Sequence, residues 1–451
     1  MSITDGLHRE LGKIIFCGCN DWKQVGRTKQ IDENLTPNTY TPSLISTVKD
    51  VEFSFVASGA SAAHCTAIDK DGHLWSWGRN ENGQLAQGDK HTRNAPQIVK
   101  GIPEETRIVC VSNGKGHTVA IDSDGKMYAS GNNKQGQLGL GSIKRSNQKG
   151  VEDERVEFVK STAVPPTVKF VYVTCGSDFT VCLDEDGKLW SFGNPQYGQL
   201  GHGDDHEYNM KEGTVKLAYE AQPTPKMIQS GDLQGKKILK VSAGQNHVCC
   251  FDEDGKIYSW GNGGYGRLGH RVQKDEFMPK HVEIQGGDRN KIPADAILAC
   301  GSTSTYISAT GGQLYAFGKL KANGDNTMYP MPQMDLQGWI LRDFAAGAVT
   351  FATCAQKSAV TWGAGGYGEL GYGPNGKKSS ACPDLVPDLE GKTTIMVAAG
   401  LGQTLFLVKS EDVKDMPVYE PLPETKDEQP KRNPAENLKG GAKKKTKTAK
   451  K

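Results

Sequence analysis

The chain has 451 residues, 55 of them glycine, and a net charge of only +2. That near-neutral total hides an asymmetry, because residues 431–451 hold nine Lys and Arg against one acid, Glu436, whereas the other residues hold 45 basic and 51 acidic. The composition of residues 1–430 is therefore not typical of a nucleic-acid-binding fold with a basic face. We also expect neither a secretory signal nor a membrane span, since no apolar run is long enough for either.

One unit recurs along the whole chain, and residues 241–269 show it fully. An apolar run ends at Gly244, an Asp254-Gly255 turn follows the next run, and an aromatic run closes at Gly261. Asp-Gly between two alternating apolar runs is a strong hairpin signal. The closing glycine recurs at Gly18, Gly78, Gly131, Gly193, Gly261, Gly318 and Gly363. Such regular repetition predicts a propeller or a solenoid.

The two ends of the chain each carry half of a unit. Residues 13–18 hold only the second half, and residues 397–408 hold only the first half. We expect the N-terminal strand to complete the blade that the C-terminal strands begin, which would remove the exposed sheet edges. Two frayed half-blades are the alternative.

These repeats resemble the regulator of chromosome condensation family, whose fold is a seven-bladed β-propeller with four strands per blade. NDWKQVGR (20–27), GGYGRLGH (263–270) and TMYPMPQMDLQGW (327–339) resemble the branch represented by regulator of chromosome condensation 2 rather than the founding member. The resemblance implies an all-β, seven-bladed propeller closed by pairing of its N- and C-terminal strands. We divide the chain into an N-terminal extension (1–12), the propeller (13–409) and a disordered charged tail with a basic end (410–451).

Three insertions interrupt the regular spacing, at residues 27–50, 143–167 and 204–237. They are polar and contain prolines, so we interpret them as surface loops, where functional contacts concentrate. After Gly318 the expected glycine loop is replaced by KLKANGDNTMYP. This departure indicates either sequence drift or a site.

Several residues imitate catalytic or ligand-binding chemistry. His64, His117 and His247 share one repeat position, and we expect each to form hydrogen bonds within its own blade rather than to bind a metal. The glycine strings at 363–368 and 371–377 resemble nucleotide loops but lack the strand-to-helix context that those loops require. The eleven cysteines contain no CxxC pair, so reduced core thiols are favoured over disulfides or zinc ligands. We predict no enzyme activity, no cofactor and no metal.

The resemblance also implies a function. Family members bind a small GTPase on one propeller face, and the founding member accelerates nucleotide exchange. We expect a monomeric, non-catalytic scaffold that binds and regulates a small GTPase of the Rho or Ral type, including as an exchange factor. It would act in mitosis, chromosome and spindle organisation and cytoskeletal control, in the nucleus, the cytoplasm and the cytoskeleton, and on chromosomes or the spindle during mitosis. The alternative is a chromatin- or microtubule-binding adaptor without exchange activity.

The candidate GTPase-binding residues belong to two segments that depart from the repeat pattern. Both occupy the same phase of their repeats, so neighbouring blades should place them on one face. Aromatic and Met side chains can anchor a partner, and charged ones can orient it. The residues are Lys274, Asp275 and Glu276 in one repeat and Met328 and Tyr329 in the next. The alternative for Tyr329 is that it only fills space left by a degenerate blade.

The basic end of the tail is the second candidate site. Clustered lysines suit DNA, microtubules or the nuclear import machinery. The predicted polyanion-binding and nuclear-targeting residues are Lys443, Lys444, Lys445, Lys447, Lys450 and Lys451. A merely solvated end is the alternative.

Overall fold

The structure, a computed structural model, describes residues 9–27, 32–143, 153–210, 217–284, 292–321 and 323–424. These residues form seven antiparallel sheets of four strands each, one of them extended by a fifth strand, and a separate two-stranded hairpin. The first strands of successive sheets contact one another in a closed ring. The prediction of an all-β, seven-bladed propeller is confirmed.

Each blade runs from an inner first strand to an outer fourth strand. Blade 1 contains β3 (Phe53–Ala57), β4 (His64–Asp69), β5 (Leu74–Gly78) and β6 (Arg93–Ile98); blade 2 contains β7 (Ile108–Asn113), β8 (His117–Asp122), β9 (Met127–Asn132) and β10 (Glu154–Lys160); blade 3 contains β11 (Phe170–Cys175), β12 (Phe179–Asp184), β13 (Leu189–Gly193) and β16 (Gln222–Met227), with the hairpin β14 (Glu207–Asn209) and β15 (Leu217–Tyr219) inserted. Blade 4 contains β17 (Ile238–Ala243), β18 (His247–Asp252), β19 (Ile257–Gly261) and β20 (Glu276–Val282); blade 5 contains β21 (Leu298–Cys300), β22 (Ser304–Ser308), β23 (Leu314–Gly318) and β24 (Thr327–Pro332); blade 6 contains β25 (Leu341–Ala346), β26 (Thr350–Ala355), β27 (Ser358–Ala364) and β28 (Ser379–Leu385).

Blade 7 is built from both ends of the chain. Its strand order is β29 (Thr394–Ala399), β30 (Gln403–Val408), β1 (Lys13–Gly18) and β2 (Thr39–Ile45). Strand β1 pairs antiparallel with β30 along its full length, from Lys13 opposite Val408 to Gly18 opposite Gln403. The predicted closure is confirmed, with two strands contributed by each terminus.

The Asp-Gly turns explain why the second and third strands form hairpins. In blade 4, Oδ1 of Asp252 accepts hydrogen bonds from the backbone N–H groups of Asp254 and Lys256, at 3.0 and 2.9 Å. Gly255 lies between them at a φ of +75°, a conformation that glycine adopts without strain. The same side-chain-to-backbone bonds recur in blades 1, 2 and 3 at Asp69, Asp122 and Asp184.

Aromatic and aliphatic side chains fill the spaces between the blades. Phe16 and Leu405 of blade 7, for example, share a buried cluster with Phe53 and Trp77 of blade 1. Ten of the eleven cysteines are buried, Cys382 is exposed, and all are free thiols. The tryptophans and cysteines of the repeats therefore stabilise the ring by packing, and for the cysteines this agrees with the prediction of reduced core thiols.

Two sequence expectations need correction. The insertions at 27–50, 143–167 and 204–237 are not loops throughout, because they contain β2, β10 and β16, the fourth strands of their blades. The weak hydrophobic pattern of these outer strands hid them; β10 and β16, for example, consist mostly of half-buried or exposed residues.

The predicted boundary of the disordered tail, residue 410, is also too early. Val413 and Met416 are buried, and the strand β31 (Val418–Tyr419) pairs in parallel with β2. The ring of Tyr419 lies 5.7 Å from that of Phe16, and Glu424 accepts a hydrogen bond from Gln97 of blade 1 at 2.9 Å. Residues 410–424 thus form a strap from blade 7 to blade 1.

The propeller has two different ends. Because consecutive strands are antiparallel, the connections between first and second strands and between third and fourth strands lie at one end, here called the glycine-loop face. The Asp-Gly hairpins and the connections between blades lie at the other end, the hairpin face. No helix among the described residues is long and apolar enough to cross a membrane.

The axis is closed at the glycine-loop face. Backbone hydrogen bonds of 2.9–3.4 Å join the turns of successive blades at six junctions, for example from Ser177 N to Gln245 O. The hydroxyls of Ser61 and Ser177, in blades 1 and 3, are 2.7 Å apart, and the Ser302 hydroxyl of blade 5 lies 3.3 Å from Ala60 O of blade 1. Behind these contacts is an axial channel of about 600 Å³ lined by the seven first strands.

Candidate functional site

The glycine-loop face gathers the segments that leave the repeat pattern. The segments that precede the fourth strands in blades 7, 2 and 3 have as their described parts residues 19–27 and 32–38, 133–143 and 153, and 194–210 and 217–221 with the hairpin. The two candidate segments, around Lys274 and Tyr329, also precede or begin fourth strands. The structure therefore places all of them at the same end of the propeller.

Five of the glycine loops pack on the outer strand of the next blade. A Cβ on Gly198 would lie 2.6 Å from Cα of Phe277, and one on Gly266 would lie 2.7 Å from Sδ of Met328. Gly83, Gly136 and Gly368 make the same close approach to the strands that follow them. Blade 5 lacks such a loop, because the segment KLKANGDNTMYP follows Gly318 in place of a glycine loop.

The loop of blade 4 is held in an unusual conformation. Tyr265 and Arg271 have φ values of +61° and +66°, which non-glycine residues adopt rarely. The N–H of Gly263 donates to Oδ1 of Asp275 at 2.8 Å, and the N–H of Tyr265 donates to Oε1 of Gln273 at 3.1 Å. These bonds fold the loop over and leave the Tyr265 side chain 43% exposed.

Cationic side chains surround the two tyrosines of this region. The guanidinium of Arg267 and the Nζ of Lys319 lie 5.5 and 5.4 Å from the ring centre of Tyr265. The guanidinium of Arg271 lies 4.7 Å from the ring centre of Tyr329. All three distances suit cation–π attraction. We call Tyr265, Arg267, Arg271, Lys319 and Tyr329 the tyrosine–cation cluster.

Arg267 is the buried member of the tyrosine–cation cluster. Its Nε donates to Gly264 O at 2.8 Å, and its Nη1 donates to Ser302 O of blade 5 at 2.9 Å. Burial lowers the pKa of Arg267. The side chain therefore supports the ring of Tyr265 from below and ties blade 4 to blade 5.

The five predicted GTPase-binding residues divide into accessible and structural positions. Lys274 is exposed, and Glu276 is half-buried and pairs with Lys280 at 2.6 Å. Tyr329 is half-buried beneath Arg271. Asp275 and Met328 instead stabilise the loop, since Asp275 accepts the Gly263 N–H and Met328 contacts Gly266 while its carbonyl accepts the Arg271 N–H at 2.8 Å.

Sequence reasoning missed four members of the tyrosine–cation cluster, although one signal was available. Arg267 occupies the position where other repeats have Gln84, Gln137 and Gln199, so this loop departs from the pattern in its centre. The unusual backbone of Tyr265 and Arg271 carries no comparable signature in the sequence.

A second exposed feature of this face is the hairpin β14–β15 of blade 3. Tyr208, Met210 and Leu217 are 49%, 56% and 49% exposed. The preceding loop leans toward blade 4, because Gly203 N donates to Phe277 O at 2.9 Å. Apolar side chains concentrated at one exposed element indicate an interaction surface.

The repeat histidines hold neighbouring blades together, and the prediction of hydrogen bonds within each blade is wrong. Nε2 of His64 lies 2.9 Å from Oγ1 of Thr118 in the next blade, and His117–Thr180 and His247–Thr305 repeat the contact. Three such contacts in three different junctions do not form one site.

One group of potential metal ligands occurs among the described residues, on the hairpin face. Asp69, Asp71 and His73 bring their ligand atoms within 4.8 Å of one another. Oδ2 of Asp69 already accepts the Trp75 indole N–H at 2.9 Å, and its Oδ1 accepts two backbone N–H groups. Blades 2 to 4 repeat the backbone bonds with Lys in place of His73, so the group is a turn motif.

The six tail lysines, from Lys443 to Lys451, lie outside the described residues.

Comparison with known proteins identifies the repeats. The family model "Regulator of chromosome condensation (RCC1) repeat" matches residues 71–121, 124–183, 186–251, 254–307 and 360–407. The chain is 34% identical to human Protein RCC2 over 440 residues, covering 91% of this chain and 80% of that one. It is 33% identical to the zebrafish (Danio rerio) RCC2 homolog over 439 residues, covering 91% and 84%.

A solved structure shows the same fold. The crystal structure of Prp20p from Saccharomyces cerevisiae, described with its binding properties to Gsp1p and histones, covers 92% of this chain and 97% of its own. The TM-score is 0.67 at 19% identity. Since the repeat model matches more than half of the chain and human Protein RCC2 is a third identical over most of both chains, this protein belongs to the regulator of chromosome condensation (RCC1) repeat family and is similar to its RCC2 members.

Proposed function

We propose that this protein is a monomeric, non-catalytic scaffold that binds a small GTPase of the Rho or Ral type and regulates its nucleotide state during cell division and in the cytoskeleton. The observation that carries the proposal is the placement of the insertions, the exposed hairpin and the tyrosine–cation cluster on one face.

The chemistry of this face suits a protein partner. Tyr and Arg are the residue types enriched at the energetic centres of interfaces, and Tyr265 is an exposed tyrosine held by a buried arginine. Such a ring is already ordered, so binding would cost little side-chain entropy. Lys274 and Glu276 lie beside it and would orient the partner electrostatically.

Regulation of the nucleotide state requires no acid–base chemistry. A surface that binds the nucleotide-free GTPase more tightly than the loaded form shifts the equilibrium toward nucleotide release. Loops that are held rigidly by Asp275 and Met328 would present one fixed surface to the partner. The similarity to the fold of Prp20p, whose described partners are Gsp1p and histones, supports a propeller that binds proteins.

The test is capture of nucleotide-free Rho and Ral GTPases by the variant Lys274→Ala/Glu276→Ala/Tyr329→Ala. We expect weakening by about 2 kcal/mol or more if these residues are an energetic centre. Tyr265→Asn should weaken capture as well, and it retains a residue type that tolerates left-handed backbone. Release of a fluorescent nucleotide from each captured GTPase distinguishes exchange from binding alone.

The matched control changes the opposite end of the propeller. Glu253→Ala/Lys256→Ala/Met334→Ala removes three exposed side chains of the hairpin face and should leave capture unchanged. Unchanged capture by the first variant would place the partner elsewhere. Lost capture together with a large fall in the melting temperature would mean that Tyr329 only fills space beside blade 5.

The second candidate function, a chromatin- or microtubule-binding adaptor, is favoured by the charge asymmetry. Residues 431–451 are strongly basic and follow a mildly acidic body. The strap ends at Glu424, which lies 3.6 Å from Arg93 of blade 1, so the tail leaves from the rim. We propose that it directs the protein to the nucleus, chromosomes or the spindle while the glycine-loop face remains free for a GTPase.

A further inference from the structure

Among the residues that the structure describes, the axial channel is closed at the glycine-loop face and open at the hairpin face. Its first-strand side chains form two rings, and the ring nearer the closed end consists of small residues. The fifth residue of each of six first strands belongs to it, namely Ala57, Ser112, Thr174, Ser242, Ala345 and Ala398. The backbone and serine contacts between the turns at the glycine-loop face block the exit beyond this ring. A ligand could therefore enter only from the hairpin face.

The ring nearer the open end is chemically divided. The third residues of the first strands include Phe55, Tyr172 and Met396 on one side and Lys240 and Asp343 on the other. Lys240 donates to Ala296 O at 2.9 Å, and one Asp343 oxygen accepts the Val397 N–H at 3.0 Å. A carboxylate can accept about four hydrogen bonds, so Asp343 retains acceptor capacity toward the channel.

Charge favours a cation over an anion in this wall. Asp343 and Asp295 both line the channel, whereas Lys240 is, apart from Arg9 of the N-terminal segment, its only cation among the described residues. The Lys240 ammonium is already directed at a backbone carbonyl. Burial raises the pKa of Asp343, while the Val397 N–H, Lys240 and Arg9 act in the opposite direction.

The N-terminal segment crosses the open end of the channel. Gly12 forms two backbone hydrogen bonds with Phe53 of blade 1, at 2.9 and 2.8 Å. Glu10 pairs with Arg342 of blade 6 at 3.1 Å and with Lys409 of blade 7 at 3.3 Å. Just before these attachments in the chain, Arg9 places its guanidinium 4.3 Å from the ring centre of Phe55.

We propose that the open end of the axial channel is a binding site for an organic cation, a guanidinium or ammonium group on a small apolar body, and that Arg9 occupies this site in cis. The face of Phe55 and the carboxylate of Asp343 recognise the charge, as aromatic and acidic groups do in other cation sites. Tyr172 and Met396 accommodate the apolar body. The channel volume of about 600 Å³ lies within the range of small-molecule sites.

The experiment removes the cis occupant from the full-length protein and supplies a defined cation. N-acetyl-L-arginine amide is titrated into the wild type and into Arg9→Ala, with binding measured by calorimetry or ligand-observed NMR. We expect Arg9→Ala to bind at least ten-fold more tightly than the wild type, because the site is vacated. N-acetyl-L-citrulline amide, which is neutral and nearly the same shape, should not bind.

Two further variants locate the site. Asp343→Asn and Phe55→Leu, each combined with Arg9→Ala, should weaken binding at least ten-fold. Glu10→Gln instead loosens the segment while leaving both recognition residues, so it should raise the wild-type affinity part of the way. A melting temperature for each variant establishes that it is folded. If Asp343→Asn does not fold, Phe55→Leu alone tests the location of the site.

Three outcomes would overturn the proposal. These are no binding to a folded Arg9→Ala protein, equal binding of the citrulline compound, and binding that neither Asp343→Asn nor Phe55→Leu weakens. The first would mean that Arg9 only anchors the N-terminal segment. The other two would mean that the cation binds elsewhere or that its charge is not recognised.

Discussion

Nε2 of His64 lies 2.9 Å from Oγ1 of Thr118, and the two residues belong to the second strands of neighbouring blades. The Thr118 hydroxyl itself donates to the carbonyl of Gln84 at 2.8 Å. Nε2 must therefore carry the proton that this contact uses, and the buried imidazole is neutral. His117 and Thr180 form the same relay one blade further, with Thr180 donating to Gln137 O at 2.9 Å.

This relay makes the stability of the ring dependent on pH. Burial, with smaller effects of His117 and Arg79, lowers the pKa of His64 to about 3, and burial lowers that of His117 to about 3. Between about pH 6.5 and 3, these histidines bind protons in the unfolded chain but not in the folded chain. Stability therefore falls as the pH falls through this window, by up to about 1.4 kcal/mol per pH unit for each histidine.

The variant His64→Gln/His117→Gln should show a shallower loss of unfolding free energy between pH 6.5 and 4. Glutamine is compatible with this position, because Gln403 occupies it in blade 7 and donates to Ser58 and to Ala62 O. Urea unfolding at several pH values measures the slope. Identical slopes for variant and wild type would show that these histidines do not cause the acid sensitivity.

Glu369 should have the opposite pH effect. It is 2% exposed, and burial raises its pKa to about 7. The folded carboxyl thus keeps its proton up to about pH 7, whereas an unfolded glutamate loses it near pH 4.3. Its contribution to stability declines between these values and stays low above pH 7. Glu369→Gln should therefore stabilise the protein by about 1–3 kcal/mol at pH 8 and hardly at all at pH 4.

The chain provides a matched control for Glu369. Its Oε2 accepts the Tyr367 N–H at 2.7 Å, and Gln199 accepts the Tyr197 N–H in the same way at 2.7 Å. Gln199→Glu should consequently destabilise the protein at pH 8 and approach the wild type in acid. Melting temperatures measured across the pH range compare the two variants with the wild type. If the melting temperatures of both variants depended on pH as that of the wild type does, a buried carboxyl at 369 would be contradicted.

Truncation should separate closure of the ring from the tail. Removing residues 1–27 deletes β1 and leaves β30 with an unpaired edge, so we expect a large fall in melting temperature. Removing residues 410–451 deletes the strap with Val413, Met416 and Tyr419 and should cost a smaller amount. Removing residues 425–451 should leave the melting temperature unchanged. Equal melting for the first and third chains would contradict closure by β1.

The tail prediction concerns salt. If the basic end binds DNA, affinity should fall steeply as salt rises, each neutralised phosphate adding roughly −0.9 to the slope of log affinity against log salt. Removing residues 425–451 should abolish most of this dependence and reduce nuclear accumulation. Microtubule pelleting under the same conditions tests the other polyanion. A deletion that changes neither binding nor localisation would leave the lysines without this role.

The sequence predicts the fold well because the repeat is encoded locally. Asp254-Gly255 and the closing Gly261 each require a particular backbone conformation, so the hairpins are readable from a few residues. The fourth strands are harder, because β10 and β16 are half-exposed and their pairing depends on the blade before them. The strap was missed for a related reason, since Tyr419 is half-buried by residues such as Phe16, which lies 403 positions earlier.

The position of a residue within its repeat was enough to predict the face on which the candidate site lies, but not which side chains form it. The repeat phase of Lys274 and Tyr329 indicates their common face. Which side chains are accessible depends on the fold of the loop, where Asp275 is used by Gly263 and Tyr265 is turned outward by its backbone. Contacts such as Arg9 with Phe55 join parts of the chain that no local pattern relates.

Blade 7 also sets the order of events during synthesis. β1 and β2 leave the ribosome first, yet the strands that complete their sheet, β29 and β30, are made last. The early pair must remain soluble while six blades form, and the exposed edge of β1 is a pairing hazard during that time. Ring closure joins residues nearly 400 positions apart, which is a slow, late step. A chain released before residue 408 would therefore be an open arc with an unpaired strand edge at each end. Quality-control factors could recognise these edges as a sign of incomplete folding.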